Sequence, residues 1–487
     1  MTVTVLRNAT VLDADSATLS EGQAVVVENG RIADIGPGLA APAGAVTVDV
    51  GGKTLMPGLI DAHTHPAIVD EDVFGLAEWP PSYVAARAGR VLRGMLMRGF
   101  TSIRDAGAGD HGLARAVEEG YFDGPRMFYC GKQLTQTGGA GDWRAPSRVV
   151  YDRHYYAPAI GVICDGVAEV RRAVREEVRR GAHHIKVYLS GAVDSPSDRV
   201  DSTQFSVEEL TAIVEEATAA NIYVAGHAYT SRAINRGLRA GVRSIEHGNL
   251  MDESSIPLFK EFGAFYVPTI VTYQALAEKA RAGLLPADIE VKLGHVIDGA
   301  LGALEMAHKA GLPVVYGTDL FADTHDQQLR EFTIRSQIQP PADLIRGATT
   351  TAARLLQREG TLGVIAPGAL ADLLVIEENP LEDIRALTAP DKNLKLIMKD
   401  GKIFKNELLG ESSSRPPDRA HLARVVEQDG VGRVTGREPA EPVAEPERAR
   451  RNPGERRDRG AQAHPAPPRR QPQRVILGQR RAGDRPG

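Results

Sequence analysis

The most informative segment of this 487-residue chain reads Pro57-Gly58-Leu59-Ile60-Asp61-Ala62-His63-Thr64-His65. It begins as a short apolar run of the kind that forms a buried strand, and two histidines follow at the end of that run. Residues two apart on a strand point to the same side, so His63 and His65 can converge on one metal ion. An isolated His-x-His pair is weak evidence, because histidines also occupy surfaces and satisfied core positions. The pair gains its meaning from the rest of the chain.

Outward from this segment, short apolar runs alternate with helical patterns as far as about residue 363. The runs typical of strands cover residues 59–61, 101–105, 127–130, 184–189, 223–227, 244–247, 265–268 and 314–319. Among the helical patterns, the one over 206–219 begins with a capping box, in which Ser206 is followed three residues later by Glu209. Repeated βα units form parallel sheets, and about eight strands are what a closed barrel needs. The sequence therefore predicts an α/β fold with a (β/α)8 TIM barrel over residues 58–363.

The two ends of the chain share a different texture, with short β-branched runs separated by Gly, Asn and Asp. These runs cover residues 3–6, 24–27, 31–35 and 46–50 near the start, and 371–376 and 394–403 after the central region. We predict that residues 1–57 and 364–406 together build a small β-sandwich. From Glu411 onward the chain has no aromatic residue and no lysine, so it cannot bury enough apolar surface to offset its ordering entropy. We predict a disordered, Arg- and Pro-rich tail over residues 407–487.

The overall composition is that of an ordinary globular protein. Hydrophobic residues make up 42% and charged residues 25%, with a net charge of -5, so nothing indicates a nucleic-acid or membrane partner. The N-terminus lacks the features of a signal peptide, and no run of about 18 apolar residues occurs. Cys130 and Cys164 are too few for a disulfide framework. We therefore expect a cytoplasmic protein with reduced cysteines.

Lys186 stands inside the apolar run His184-Ile185-Lys186-Val187-Tyr188-Leu189. An uncompensated ammonium is costly to bury, so this lysine has two interpretations. It can lie at a strand end with its charged head in solvent. Alternatively, CO₂ carboxylates the amine and turns it into an anionic ligand that can bridge two metal ions.

Three further polar residues end predicted strands. His227 ends the run 223–227, His247 ends the run 244–247, and Asp319 ends the run 314–319. The active sites of barrel enzymes lie at the C-terminal ends of the strands. We therefore predict that these three residues meet His63, His65 and Lys186 in one metal site.

With this set of six ligands, the chain resembles the amidohydrolase superfamily over roughly residues 1–406. Shorter stretches resemble its imidazolonepropionase-like and prolidase-like branch, which includes dipeptidases and amidases that cleave N-acyl amino acids such as ochratoxin. The stretches are Ser190-Gly191-Ala192-Val193-Asp194-Ser195-Pro196, His227-Ala228-Tyr229-Thr230, Ser244-Ile245-Glu246-His247-Gly248-Asn249-Leu250 and Gly363-Val364-Ile365-Ala366-Pro367-Gly368. The resemblance implies a barrel with an accessory β-sandwich made from both chain ends.

The resemblance also implies a binuclear metal centre. The residues matching the first-strand histidines and the final-strand aspartate, His63, His65 and Asp319, bind the more buried ion. The carboxylated lysine, here Lys186, bridges to a second ion held by His227 and His247. Such ligands accept several divalent metals, so we expect two Zn²⁺ ions, with Mn²⁺ or Co²⁺ as alternatives.

The chemistry that this constellation suits is attack by water on a carbonyl. Two metals lower the pKa of a bridging water, so that hydroxide is available near neutral pH without a side-chain nucleophile. Asp319 can accept the proton of that hydroxide and deliver it to the leaving nitrogen. Tyr229 is either a donor to the developing oxyanion or a packing residue at the barrel mouth.

We therefore predict a metal-dependent hydrolase of a carbon–nitrogen bond in a small-molecule amide, such as an N-acyl amino acid or a dipeptide. A urea or carbamate hydrolase with the same metals is the alternative within enzymes. A non-catalytic scaffold on the same fold is a remote alternative, since none of the metal ligands is lost. We expect the enzyme to be a homo-oligomer that needs neither nucleic acid nor membrane.

One position departs from the dipeptidase-like relatives, which usually have a histidine where this chain has Ala140. A methyl group cannot donate a hydrogen bond, so we expect the pocket to suit apolar acyl or aryl amides better than zwitterionic dipeptides. Trp79 and Trp143 lie in predicted loops after the first and third strands, and Tyr273 follows the seventh strand. These rings either line an apolar pocket at the barrel mouth or simply cover the loops.

Overall fold

The computed structural model describes residues 3–73, 75–144, 161–195 and 198–408. Apart from residues 407 and 408, the tail that the sequence predicts to be disordered lies outside the described residues. Among the helices of the described ranges, none is both long enough and apolar enough to cross a membrane.

The regular elements follow one another in three blocks. The first block contains the strands β1 (Val3–Asp13), β2 (Thr18–Glu28), β3 (Arg31–Pro37), β4 (Val46–Asp49) and β5 (Thr54–Pro57). The second block contains β6 (Leu59–Thr64), α1 (Pro81–Met97), β7 (Phe100–Asp105), α2 (His111–Glu118), β8 (Arg126–Tyr129), β9 (Leu134–Thr135), β10 (Val162–Ile163), α3 (Gly166–Arg179), β11 (His184–Tyr188), α4 (Val207–Ala219), β12 (Tyr223–Thr230), α5 (Ser231–Ala240), β13 (Ser244–Leu250), α6 (Ile256–Phe262), β14 (Phe265–Val267), α7 (Ile270–Arg281), α8 (Ala287–Ile297) and α9 (Ala300–Lys309). The third block contains α10 (Arg330–Arg335), α11 (Pro341–Gly347), α12 (Thr350–Leu355), β15 (Leu373–Ile376), α13 (Pro390–Asn393), β16 (Leu394–Lys399) and β17 (Lys402–Asn406). Short 3₁₀ helices cover Gly75–Glu78, Glu253–Ser255, Ala322–Gln327 and Ile384–Leu387.

Strands from both ends of the chain form one mixed eight-stranded sheet. Its order is β17-β16-β15-β5-β1-β2-β3, and β4 pairs with the first half of β1. The two ends join where β5 pairs antiparallel with β15, with Pro57 opposite Leu373. The sheet also curves back on itself, because a Cβ added at Gly30, in the β2–β3 turn, would lie 2.9 Å from the carbonyl oxygen of Asp400 in the β16–β17 turn. Apolar side chains of β1 to β5, β15 and β16 fill one shared core.

The strands of the middle block form two parallel sheets, ordered β6-β7-β8 and β10-β9-β11-β12-β13-β14. Within the larger sheet, Lys186 lies opposite Ala225, and His227 lies opposite Glu246. Next to the smaller sheet, the backbone N–H of His183 donates to the carbonyl oxygen of Tyr129 at 2.9 Å. Parallel pairing sets all these strands in one direction, so their carboxyl ends share one side of the structure.

The eighth predicted strand differs from the prediction. Residues 314–319 contain one isolated parallel bridge, between Val314 and Tyr266, and no regular strand. The segment still connects the two parallel sheets: Val315 N donates to Tyr266 O at 2.8 Å, and Ala62 N donates to Tyr316 O at 2.9 Å. The strand order thus shows α/β architecture with parallel sheets. The two sheets are joined by the individual backbone hydrogen bonds of residues 314–319.

Several helices of the middle block, among them α3, α4 and α5, pack their apolar faces against the six-stranded sheet. In α3 the buried positions include Val170, Ala173 and Val174, the three- and four-residue spacing of one helical face. The capping box predicted for α4 is confirmed: Ser206 Oγ accepts from Glu209 N at 3.2 Å, and Glu209 Oε2 accepts from Ser206 N at 2.6 Å. These helices stabilise the sheet through its apolar side chains. The ends of the strands can therefore carry polar groups.

Candidate metal centre

The two histidines at the end of β6 have fixed tautomers. The Nδ1 atom of His63 lies 2.7 Å from Oε2 of Glu246, and Nδ1 of His65 lies 2.9 Å from the carbonyl oxygen of Gly107. A carboxylate and a carbonyl only accept hydrogen bonds, so in both rings the proton is on Nδ1. The Nε2 atom of each ring is therefore left with a free electron pair, as in metal-binding histidines whose other nitrogen donates to an oxygen.

Asp319 brings a third electron pair to the same place. Its Oδ1 atom lies 3.3 Å from Nε2 of His63 and 3.0 Å from Nε2 of His65. Although burial opposes it, the hydrogen bond and the charge of Asp319 raise the pKa of His65, so a proton on Nε2 or a metal ion can occupy this position. Imidazole with carboxylate is a donor set that suits a divalent metal. The three residues thus fit an ion site, and their ligand atoms lie within 4.8 Å of one another.

Lys186 faces this group from β11. Its Nζ atom lies 3.2 Å from Nε2 of His63, and the residue is only 2% exposed. The interpretation with the charged head in solvent is therefore wrong. Burial lowers the pKa of Lys186, which favours the neutral amine, the form that can react with CO₂.

The remaining two predicted ligands, His227 and His247, complete the cluster. Their ring centroids are 4.5 Å apart, and the ring of His247 is 5.0 Å from that of His63. Nε2 of His227 donates to the carbonyl oxygen of Gly191 at 3.1 Å, which leaves Nδ1 as the free electron pair. Burial, followed by the charge of Lys186, lowers the pKa of His227 to about 3. Neutral imidazole is the form that binds metals.

The backbone is unusual at two of these positions. His247 has φ 74° and Asp319 has φ 55°, in the left-handed region that side chains other than glycine rarely adopt. Such conformations persist at functional sites where the surroundings hold them. Nearby, a Cβ at Gly317 would lie 2.4 Å from Cγ1 of Val267 and 3.0 Å from Cβ of His63. The segment before Asp319 therefore runs close against β6 and β14, where only glycine fits.

A layer of charges behind the ligands was missed in the sequence. Glu246 not only accepts from His63 but also accepts from Nη2 of Arg104 at 2.7 Å and from Ser244 Oγ at 2.5 Å. Although burial opposes it, the charge of Arg104 and the hydrogen bond of His63 hold the pKa of Glu246 well below its usual range. The signal was present as two charged residues inside fully or almost fully buried strands, β7 and β13.

A pocket opens over the six residues. Besides them, its described lining comprises Ile68, Val73, Gln133, Trp143, Tyr188, Ala192, Val193, Asp194, Tyr229, Thr272, Tyr273, Leu276 and Phe321. Trp143 and Tyr273 therefore belong to the pocket, whereas Trp79 packs in a partly buried cluster and is not among the described lining residues.

Tyr229 is placed to donate into this pocket. Its hydroxyl oxygen accepts a hydrogen bond from the hydroxyl of Tyr273 at 3.3 Å and another from the backbone of Val193. Its ring centroid lies 4.8 Å from that of His227. With its oxygen already engaged as an acceptor, the hydroxyl has its hydrogen left for a group in the pocket.

Ala140 does not lie among the described lining residues. Its backbone N–H donates to Oε1 of Gln204 at 3.0 Å, and its carbonyl accepts from Nε1 of Trp143 at 2.7 Å. The residue therefore reaches the pocket through Trp143. The expectation of a preference for apolar amides stays a prediction.

Comparison with known proteins gives a consistent result. The sequence profile described as Amidohydrolase family matches residues 54–404. Ochratoxinase of Aspergillus niger is 36% identical over 371 residues, which cover 73% of this chain and 76% of that protein. The crystal structure of a prolidase in complex with N-methylphosphonate-L-proline superposes with a TM-score of 0.81 and 43% identity, covering 83% of this chain and 100% of the prolidase. A Xaa-Pro dipeptidase with bound methionine superposes with a TM-score of 0.74 and 29% identity, covering 83% of this chain and 100% of the dipeptidase.

Proposed function

Since the chain belongs to the amidohydrolase family and is a hydrolytic enzyme acting on carbon–nitrogen bonds, we propose that it hydrolyses a small amide or peptide-like molecule at the six-residue site. The family fold is a TIM barrel, and we propose a closed eight-stranded barrel over residues 58–363. We further propose that the curved sheet of residues 1–57 and 364–406 is its accessory β-sandwich.

One observation carries the proposal. The Nε2 atoms of His63 and His65 lie 3.3 and 3.0 Å from Oδ1 of Asp319, while Nδ1 of each ring is engaged by an oxygen acceptor. Two imidazoles and a carboxylate that converge in this way can hold a divalent cation, and members of the family generally use divalent metals.

We assign the ligands of two ions from this geometry and the donor chemistry. His63, His65 and Asp319 hold one ion, and His227 with His247 hold the other. Lys186, once carboxylated by CO₂, would serve as a ligand to both, and we propose Zn²⁺ in both positions, with Mn²⁺ or Co²⁺ as alternatives. When bound, such ions supply the Lewis acidity that lets water attack a carbonyl near neutral pH.

The residues of the chain provide the rest of the chemistry. Asp319 accepts the proton of the attacking water and returns it to the leaving nitrogen, so that the amine departs neutral. Tyr229 donates a hydrogen bond to the carbonyl oxygen as negative charge develops there. The lining residues enclose the reacting bond among apolar side chains, which strengthens both interactions.

The substrate class follows from the relatives. A prolidase and a Xaa-Pro dipeptidase act on peptides by name, and ochratoxinase is named for its toxin substrate. We propose a dipeptide or an N-acyl amino acid as the substrate of this enzyme, which we also propose to act as a homo-oligomer.

The test combines metal analysis with a hydrolysis screen. Protein loaded with Zn²⁺, Mn²⁺ or Co²⁺ is assayed against dipeptides, N-acyl amino acids and aryl ureas. Lys186→Ala is expected to lose both bound metal and turnover, while Lys309→Ala, at an exposed position on α9, keeps both. Unchanged metal content in Lys186→Ala would contradict the bridging role, and turnover of ureas alone would contradict the amide assignment.

A further inference from the structure

The loop after β11 places an acidic side chain over the metal centre. Asp194 lines the same pocket as His63, Lys186 and Asp319. The residue is exposed to solvent there. Two hydrogen bonds attach this loop to the site. The carbonyl oxygen of Gly191 accepts from His227, and the backbone of Val193 contacts the hydroxyl of Tyr229.

Among the described residues, no side chain forms a hydrogen bond or an ion pair with the carboxylate of Asp194. The two nearby acids differ in this respect. Asp198 accepts from Nε2 of Gln204 at 2.6 Å and lies 3.9 Å from Nζ of Lys292, and Asp142 pairs with Arg144 at 2.6 Å. Partial desolvation in the pocket and the charge of Asp319 raise the pKa of Asp194 to about 6, so the group is still mostly ionised at pH 7.

Outside the metal centre, the described lining residues of the pocket offer no competing lysine or arginine. Lys186 is the only lysine or arginine among its described lining residues, and it belongs to the metal centre. The amide of Gln133 is engaged on both sides, since Nε2 donates to Ala106 O at 3.0 Å and Oε1 accepts from the hydroxyl of Tyr188. A carboxylate that faces a bound molecule without a partner of its own selects a hydrogen-bond donor that carries positive charge.

We propose that Asp194 binds a protonated amine of the substrate, so that this enzyme prefers amides that carry a free amino group. The inference rests on the proposed function and narrows its substrate class. It is opposed to the preference for apolar amides expected from Ala140, and the substrate pairs below decide between the two. The amine can belong to the acyl portion, as the α-amino group of a dipeptide, or to the leaving portion, as a basic side chain. Both sources present the same ammonium group to Asp194, and substrate pairs distinguish them.

The experiment compares Asp194→Asn with the wild type on two matched pairs. L-alanyl-L-proline and N-acetyl-L-alanyl-L-proline differ by the charge on the acyl portion. N-acetyl-L-alanyl-L-lysine and N-acetyl-L-alanyl-L-norleucine differ by the charge on the leaving portion. In at least one pair, we expect the substitution to lower kcat/KM for the charged member by roughly 10–100-fold and to leave the neutral member within about twofold. Metal content is expected to stay unchanged, and Asp201→Asn, at an exposed position paired with Arg199, serves as the matched control.

Three outcomes count against the proposal. Equal loss on charged and neutral members means that Asp194 acts on the site as a whole, and no loss on either pair means that it binds no amine. Wild-type hydrolysis of neutral members without preference for charged ones keeps the proposed function but overturns this inference. Hydrolysis of neither pair, nor of any amide in the screen, overturns both.

Discussion

Single charges buried behind the ligands decide how the metal centre is held. Glu246 and Arg104 are both inaccessible to solvent, and Glu246 fixes the ring of His63 through its Nδ1 atom. A buried ion pair contributes little net stability, yet removing one partner leaves the other charge uncompensated. The pair therefore serves the orientation of His63 more than the stability of the fold.

The substitution Glu246→Gln tests this role. We expect metal affinity to fall about 10–100-fold, because the carboxylate behind His63 is lost. We also expect the free energy of unfolding of the metal-free protein to fall by roughly 3–5 kcal/mol, because Arg104 stays buried without its partner. Metal titration and denaturant unfolding measure the two effects, with Glu215→Gln, an exposed partner of Arg171, as a control that changes neither. Wild-type metal affinity in Glu246→Gln would exclude the positioning role.

His325 provides a pH-dependent prediction. Burial lowers its pKa to about 4, although the hydrogen bond of Nε2 with the carbonyl oxygen of Ile68 acts in the opposite direction. The unfolded chain binds this proton near pH 6.5 and the native state does not, so stability is lost as the pH falls from about 6.5 to about 4. The shift corresponds to about 3 kcal/mol at 1.36 kcal/mol per pKa unit. In His325→Gln we expect the metal-free protein to lose about 3 kcal/mol less of its unfolding free energy between pH 7 and pH 4.

Denaturant unfolding at several pH values measures this difference. His111→Gln, at an exposed position, is expected to follow the wild-type curve. If the unfolding free energies of the wild type and His325→Gln fell in parallel with decreasing pH, other groups would govern the loss of stability in acid.

At this scale the sequence predicts the six residues that meet, because five of them end or follow predicted strands and Lys186 is a charged residue inside one. It does not predict the charges behind them. Arg104 and Glu246 are 142 positions apart, and only the adjacency of the folded strands brings them together. Asp194 was overlooked for a similar reason, since a loop aspartate is ordinary until the pocket around it is known.

Among the elements, the loop after β11 depends on one glycine. A Cβ at Gly191 would lie 2.0 Å from the backbone carbonyl oxygen of Arg199, and backbone cannot give way as a side chain can. Any displacement of the loop also moves the carbonyl that holds His227 and the backbone group that holds Tyr229.

We therefore expect Gly191→Ala to lower kcat at least tenfold and to weaken metal binding, with turnover and metal content as the measurements. Gly302→Ala is the matched control, because Gly302 lies in α9 with open space around it. There alanine is expected to be neutral or to stabilise by roughly 0.5–1 kcal/mol, as in other exposed helix positions. Full activity of Gly191→Ala would show that the loop tolerates displacement.

Strand prediction worked for the seven runs that become β6, β7, β8, β11, β12, β13 and β14, and it failed for residues 314–319. An apolar run predicts a strand by its pattern, whereas regular pairing also needs room and ordinary backbone angles. Gly317 marks a close approach to β6, and Asp319 has positive φ, so the ladder is interrupted where the ligand is placed. A pattern of side chains does not report either constraint.

For the whole molecule, the boundary of the folded part gives a clear prediction. Deleting residues 411–487 is expected to leave turnover and unfolding free energy unchanged, because that segment has no aromatic residue and few apolar ones. Deleting everything after residue 393 is the contrasting variant. It removes β16, whose Leu396, Ile397 and Met398 are fully buried, and we expect no folded enzyme. Kinetics and denaturant unfolding of the two truncations decide the boundary, and lost turnover in the shorter deletion would show that the tail contributes.

The pairing of β5 with β15 has a consequence for how the protein is made. The strands at the start of the chain leave the ribosome early, but Thr54 and Pro57 find their partners only when Ile376 and Leu373 have been translated. At about 5–20 residues per second, that wait lasts on the order of tens of seconds. Throughout this interval β5 presents unpaired N–H and C=O groups, which attract other strands. Each nascent chain on a crowded polysome is therefore exposed to its neighbours until its own C-terminal strands arrive, so expression yield should respond to translation speed and to chaperones more than the stability of the finished enzyme suggests.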